Sequence, residues 1–313
     1  MKRFLVLGIC LLMATSAFAQ QQFITIATGG TAGTYFPLGG ALADIWNKNI
    51  PKMNATAQAT GASIANINLL KGGNVDVIFT QNDVASYSYN GTELLKDQAY
   101  KDLRGMACLY NETIQLVALE SSGIKTITDL KGKKVSVGAA GSGTEANARQ
   151  ILESAGLTYN DIKVQYLSFG ESANNMKDGN IDAAFNTAGI PTAAIQDLAV
   201  SKKMVLVPID GQVATKLMAK YPFYALQIVP AGTYQGQNQN VTTVAVKSML
   251  AVSSKLSGDL VYKMLETMYA NTDRLIAAHS QGKNIKIESA LEGMSIPLHP
   301  GAEKYFKEKG VLK

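Results

Sequence analysis

Two short segments, Gly29-Gly30-Thr31-Ala32-Gly33-Thr34 and Gly141-Ser142-Gly143-Thr144, place glycines and hydroxyl side chains just ahead of stretches with helical periodicity. Glycine lets a backbone approach a ligand closely, and serine and threonine add neutral hydrogen-bond donors. The first amides of a helix have no partner inside it and carry about half a positive charge. Such turns can hold an anion without a guanidinium group. Arginine is scarce in any case: the chain has four, Arg3, Arg104, Arg149 and Arg274, all outside these two turns. Around the turns, Tyr35 and Phe169 suit a ligand or a core equally. Gln81, Asn82 and Asp83 follow a strand and either face the same edge or cap a helix. Thr187, Gly189 and Pro191 occupy the corresponding place later in the chain.

Enzyme signatures fail on chemistry. Gly138-x4-Gly143 begins like a phosphate-binding loop, but Thr144-Glu145 follows where lysine and a hydroxyl are needed. Thr28-Gly29-Gly30 lacks dinucleotide-fold spacing, and Ser142 is not in a nucleophile elbow. The two histidines, His279 and His299, lack metal-ligand spacing, and His299 precedes Pro300-Gly301 as part of a turn. Asp76 and Asp182 are a tempting acid/base pair, but both sit at strand starts, where they fix turns. No catalytic residue, metal or cofactor is expected.

The turns are positioned by a repeat. Leu70-Lys-Gly-Gly-Asn-Val-Asp-Val-Ile-Phe79 returns as Met176-Lys-Asp-Gly-Asn-Ile-Asp-Ala-Ala-Phe185. Thr60-Gly-Ala-Ser63 matches Phe169-Gly-Glu-Ser172, and Ile24 to Thr34 matches Lys134 to Thr144 in kind. Each copy alternates strands and helices, which implies a mostly parallel sheet with helices on its faces. Ligands of such sheets sit beyond the carboxyl ends of the strands. Leu38, Leu42, Ile45 and Trp46 mark one buried helical face, and Ser63 is a natural N-cap for the next helix. The fold class is therefore α/β, with two α/β lobes joined by a two-strand hinge. The first lobe is expected over residues 20–118 and 231–313 and the second over 119–230. Gln115–Leu119 and Ala225–Val229 are the expected crossing strands.

A 47% hydrophobic, 17% charged composition excludes a disordered chain, and the length suffices for two ordinary cores. Residues 1–19 have the form of a secretory leader: Lys2-Arg3, an apolar stretch from Phe4 to Met13, and Ala17-Phe18-Ala19 as cleavage site. Removing Lys2 and Arg3 takes the net charge from +5 to +3, too little and too scattered for a nucleic-acid binder. Cys108 is then alone and cannot form an internal disulfide; its apolar setting suits a buried small side chain. The mature chain is expected to be exported, soluble and monomeric.

At Thr28-Gly-Gly-Thr-Ala-Gly-Thr-Tyr-Phe-Pro-Leu-Gly39, Thr60-Gly-Ala-Ser-Ile-Ala-Asn66, Gly138 to Arg149 and Leu298-His-Pro-Gly-Ala-Glu-Lys-Tyr-Phe306, the chain resembles the TAXI family of TRAP-transporter solute receptors. The resemblance covers essentially the whole mature chain. It implies a type II periplasmic-binding-protein fold and delivery of solute to a TRAP membrane permease, usually with fused subunits, by sodium-coupled transport. It also implies a small organic anion as ligand, a C4 to C5 dicarboxylate or an acidic amino acid such as glutamate, or 2-oxoglutarate. Matching motif positions implicates Gly30, Thr31, Gly33, Thr34, Tyr35, Thr60, Ser63, Ser142, Gly143 and Thr144. A cleft enzyme of the same fold and a ligand-sensing subunit for a membrane kinase remain the alternatives.

Overall fold

The computed structural model describes residues 21–313; the leader and its cleavage site lie outside the described residues. The first set of elements is β1 (Gln22–Ala27), α1 (Tyr35–Asn49), β2 (Met53–Gln58), α2 (Ser63–Lys71), β3 (Val77–Gln81), α3 (Asn82–Asn90) and the long β4 (Leu103–Leu119). The second is β5 (Lys134–Ser136), α4 (Gly143–Ser154), β6 (Lys163–Gln165), α5 (Phe169–Lys177), β7 (Ala183–Ala188), α6 (Ala193–Ser201), β8 (Met204–Val207), α7 (Gly211–Lys220) and β9 (Ala225–Val229). A second long strand, β10 (Val241–Ser253), returns to the first set, followed by α8 (Gly258–Ala270), α9 (Thr272–Ala278) and α10 (Pro300–Glu308).

The strands form one curled sheet in the order β2-β1-β3-β10-β4-β7-β5-β6, with β8 on β4 and β9 on β10. Within each lobe the repeated strands are parallel: β2-β1-β3 in one, β6-β5-β7 in the other. The antiparallel pair β4 and β10 runs through both. Helices on the faces cover the middle of the sheet, so β3, β4, β7 and β10 are buried and largely apolar, while β9 is mostly exposed.

The repeat has a physical signature in the structure. Asp76 Oδ2 accepts the Thr25 amide at 2.8 Å, and Asp182 Oδ2 accepts the Lys134 amide at 2.8 Å. Each aspartate ties the start of its own strand to the neighbouring parallel strand, beyond the turn-fixing role read from sequence.

Two of the four buried clusters sit on either side of the crossing. Ile26, Leu38, Leu42, Trp46, Val77, Met106 and Leu250 belong to the first, and Ile114, Leu116, Val135, Ile151, Phe185 and Val244 to the second. The chain thus changes core near residues 111–113 of β4 and 247–248 of β10, not at 118–119 and 230–231. The return strand is β10; β9 pairs with Val241–Ala245 inside the second lobe and does not cross. The reason is length: two strands of 17 and 13 residues pass through the junction without a break, whereas the Pro230-Ala231-Gly232 punctuation only turns β9 into β10.

The periodicity of α1 is realised: Leu38, Leu42, Ile45 and Trp46 are buried. Trp46 is fully enclosed and its indole N–H donates to the Met264 carbonyl at 3.1 Å, anchoring α1 to α8. Trp46→Ala removes both, and is expected to cost about 3–5 kcal/mol in urea unfolding, the range for large buried aromatics. Ser63 is not the cap of α2. Ala62 occupies that place at φ 69°, and the Ser63 hydroxyl accepts the Gln81 amide at 3.2 Å. His299 caps α10 through Nδ1, which accepts the Gly301 amide at 3.2 Å. Burial pushes the Cys108 thiol up to about 12, as befits an inert core residue. Among the described residues no helix is long and apolar enough to cross a membrane.

Candidate functional site

Every repeated strand ends at the groove between the lobes, and every following helix begins there. The N-termini of α1 and α2 from the first lobe face those of α4 and α5 from the second. Between them lies a cavity of about 60 Å3, room for about four to six waters at 10–15 Å3 each. So little space means that the lobes are closed on one another.

Of the residues expected at the site, Gly30, Gly33, Thr34, Tyr35, Thr60, Ser63, Gln81, Ser142, Gly143, Thr144, Phe169 and Thr187 line this one cavity. Thr31 does not; it is exposed at the tip of its turn. Gly189 lies beside the cavity, where its amide donates to Thr34 Oγ1 at 3.1 Å across the lobe boundary. Asn82 also turns away. Its side chain joins the Gly293 carbonyl and the Lys247 amide, both at 3.0 Å. Arg149 is taken by Glu145 at 2.5 Å and lies over the Tyr159 ring.

Several hydroxyls serve the backbone as well as the cavity. Ser142 Oγ accepts the Glu145 amide at 3.1 Å and caps α4. Thr60 Oγ1 donates to the Thr28 carbonyl at 3.1 Å and accepts the Ala62 amide at 3.1 Å. Asn66, fully buried, donates to the carbonyls of Thr28 at 2.6 Å and Phe79 at 2.8 Å, pinning the ends of β1 and β3. These bonds fix the turns, so the cavity wall is preorganised.

Closure is stabilised by direct contacts between lobes. The Ile64 and Ala65 amides at the start of α2 both donate to the Gly141 carbonyl at 3.1 Å. Asn147 Nδ2 donates to Asp83 Oδ2 at 3.0 Å and lies 2.9 Å from the Tyr224 hydroxyl. Gln150 Nε2 donates to the Tyr87 hydroxyl at 3.1 Å. Gln281 reaches the Ile190 carbonyl at 2.7 Å.

Sequence reasoning missed Glu112. It lies on β4 at the crossing, 2% exposed, and lines the cavity. The Tyr35 hydroxyl donates to its Oε2 at 2.8 Å. Tyr110, two residues back on the same strand face, donates to Oε1 at 3.4 Å. Burial pushes the Glu112 carboxyl up to about 8. The signal was present: one carboxylate inside the otherwise uncharged run from Gly105 to Leu119. The expected crossing strand begins only at Gln115, three residues past it.

No lysine or arginine lines the cavity. Its electrostatics consist of helix N-termini and hydroxyls on one side of the ledger and a single buried carboxyl on the other. Among the described residues, no three histidine, cysteine, aspartate or glutamate side chains group as a metal site.

Known proteins share this architecture. A protein of Bordetella bronchiseptica RB50 superposes with a TM-score of 0.55 at 16% identity, over 93% of this chain and 89% of that one. A protein of Listeria monocytogenes, provisionally named an L-cystine ABC transporter, superposes with a TM-score of 0.53 at 20% identity, over 85% of this chain and 98% of that one. The fold is the α/β fold of periplasmic solute-binding proteins. In sequence, 121 residues are 33% identical to a provisionally named aliphatic sulfonates-binding protein of Escherichia coli K12; the match spans 39% of this chain and only 33% of that relative. The profile of the NMT1-like family matches residues 26–310, essentially everything the structure describes. The chain belongs to the NMT1-like family.

Proposed function

We propose that the protein is an exported, non-catalytic solute receptor whose lobes close on a small organic molecule carrying an anionic group and hand it to a membrane transporter. The observation that carries this reading is the convergence of four helix N-termini, two from each lobe, on one closed interlobe cavity. A ligand bound there touches both lobes and stabilises closure by differential contact. The resemblance to TAXI receptors favours a TRAP permease as recipient and a C4 to C5 dicarboxylate or an acidic amino acid as cargo. The sulfonate named for the Escherichia coli relative is likewise an anionic head on a small carbon frame, so sulfonates belong among the ligands to test. The expected leader over residues 1–19 is consistent with a site of action outside the inner membrane.

Thermal melting in the presence of carboxylates, amino acids and sulfonates tests the reading. Ligand at 100 times its Kd adds about 2.7 kcal/mol. At about 2–4 °C per kcal/mol that is a rise of roughly 5–10 °C. A panel with no shift, together with no small molecule released on denaturing the purified protein, would remove the receptor assignment.

A further inference from the structure

The cavity confronts its ligand with opposite kinds of charge. Helix N-termini and hydroxyls suit an anionic group, and no lysine or arginine adds to them. Glu112 lines the same small space, buried and held by two tyrosine hydroxyls. A purely anionic ligand would set its negative group beside that carboxyl with no cation to hold it ionised and no donor for its oxygens. Two further polar atoms at this cavity are buried without any partner, Gln81 Oε1 and Thr187 Oγ1. Both can accept a hydrogen bond, and buried polar atoms left unpaired are costly.

We infer that Glu112 is the specificity-determining residue of the site and that the ligand carries a protonated amine, which Glu112 holds as a carboxylate while the acidic group of the same molecule faces the helix N-termini. The inference rests on the receptor reading above and narrows it to zwitterions. The ammonium cancels one of the two negative charges and leaves the other to the helix N-termini, which explains how the site dispenses with arginine. An ammonium has three N–H donors; the Glu112 carboxylate, Gln81 Oε1 and Thr187 Oγ1 supply acceptors of the right kind around one cavity. A simple dicarboxylate or an oxo-acid lacks the donor and leaves those atoms unpaired.

Isothermal titration with matched pairs at pH 8 tests this. The pairs are L-glutamate with 2-oxoglutarate, L-alanine with propionate, and taurine with ethanesulfonate. At least one amine-bearing member is expected to bind, at least 100-fold more tightly than its amine-free counterpart. Glu112→Gln keeps the side-chain size and is expected to weaken that ligand by at least 100-fold while circular dichroism shows a folded chain. If an amine-free member binds as well as or better than its partner, the inference is overturned and the receptor reading stands. The same holds if Glu112→Gln leaves amine-ligand affinity within threefold. If no compound in the panel binds, the receptor reading loses its support and this inference falls with it.

Discussion

Gly143→Val is expected to leave both lobes folded and to weaken ligand binding by about 10–100-fold. Gly143 is the first residue of α4, and a β-carbon there would overlap the side-chain amide of Gln81 from β3 of the other lobe. Gln81 is 2% exposed, so its only way out is into the ligand cavity. The backbone at Gly143 is not in the left-handed region, and valine is no worse a helix former than glycine. The penalty therefore falls on closure, where overpacking a tight contact costs about 1–3 kcal/mol. Enlarging Thr144 would be a less clean experiment, because its side chain packs against Gly138, which sits at φ 96°. Titration of the amine-bearing ligand gives the affinity, and urea unfolding checks the fold. Unchanged affinity would mean that Gln81 and Gly143 do not meet in the liganded state.

That experiment depends on an interlobe contact, and contacts between distant segments were the least legible feature of the sequence. The repeat from Leu70 to Phe79 and from Met176 to Phe185 made the parallel sheets and the groove-facing turns readable, because strand-to-helix turns need glycine and caps wherever they occur. It also made the equivalence of Asp76 and Asp182 visible. What it could not carry is the junction. β4 and β10 are antiparallel, continuous and outside the repeat, so nothing periodic marked where they pass from one core to the other. The first predicted boundary fell six residues late on β4 for that reason, and Glu112 was lost with it. Thr31 fails differently. Its glycine-rich neighbours suggested contact with a ligand, but the tight turn that Gly30 and Gly33 make, with the Gly33 amide on the Gly30 carbonyl at 3.1 Å, points the residue between them outward.

Raising the pH from 6.5 to 8.5 is expected to destabilise the ligand-free protein. Burial pushes the Asp83 carboxyl up to about 7 and the Glu112 carboxyl up to about 8, against ordinary values of 3.8 and 4.5. Both groups keep their protons in the folded chain where the unfolded chain has lost them. Their contribution to stability is full below the unfolded values, declines as pH rises, and is gone above about 8. A group contributes about 1.36 kcal/mol for each pH unit spent in that window. From pH 6.5 upward the two together are worth on the order of 2–3 kcal/mol, or roughly 4–12 °C in Tm. Burial lowers His279 and His299, which titrate the opposite way; each is about half charged in the unfolded chain at pH 6.5, so together they offset less than about 1 kcal/mol of this. The groups around the two carboxyls are Tyr35 of α1, Tyr110 of β4, Gln81 of β3, and Asn147 of α4 with Tyr224 behind it; burial raises all three tyrosines, so none ionises in this range. Glu112→Gln should remove the larger part of the slope and Asp83→Asn the smaller. Saturating the wild type with the amine-bearing ligand should act on the slope as Glu112→Gln does, because an ammonium at Glu112 holds the carboxyl ionised at both ends of the range. A slope that survives both the ligand and Glu112→Gln would place the responsible protons elsewhere and separate Glu112 from the ligand's charge.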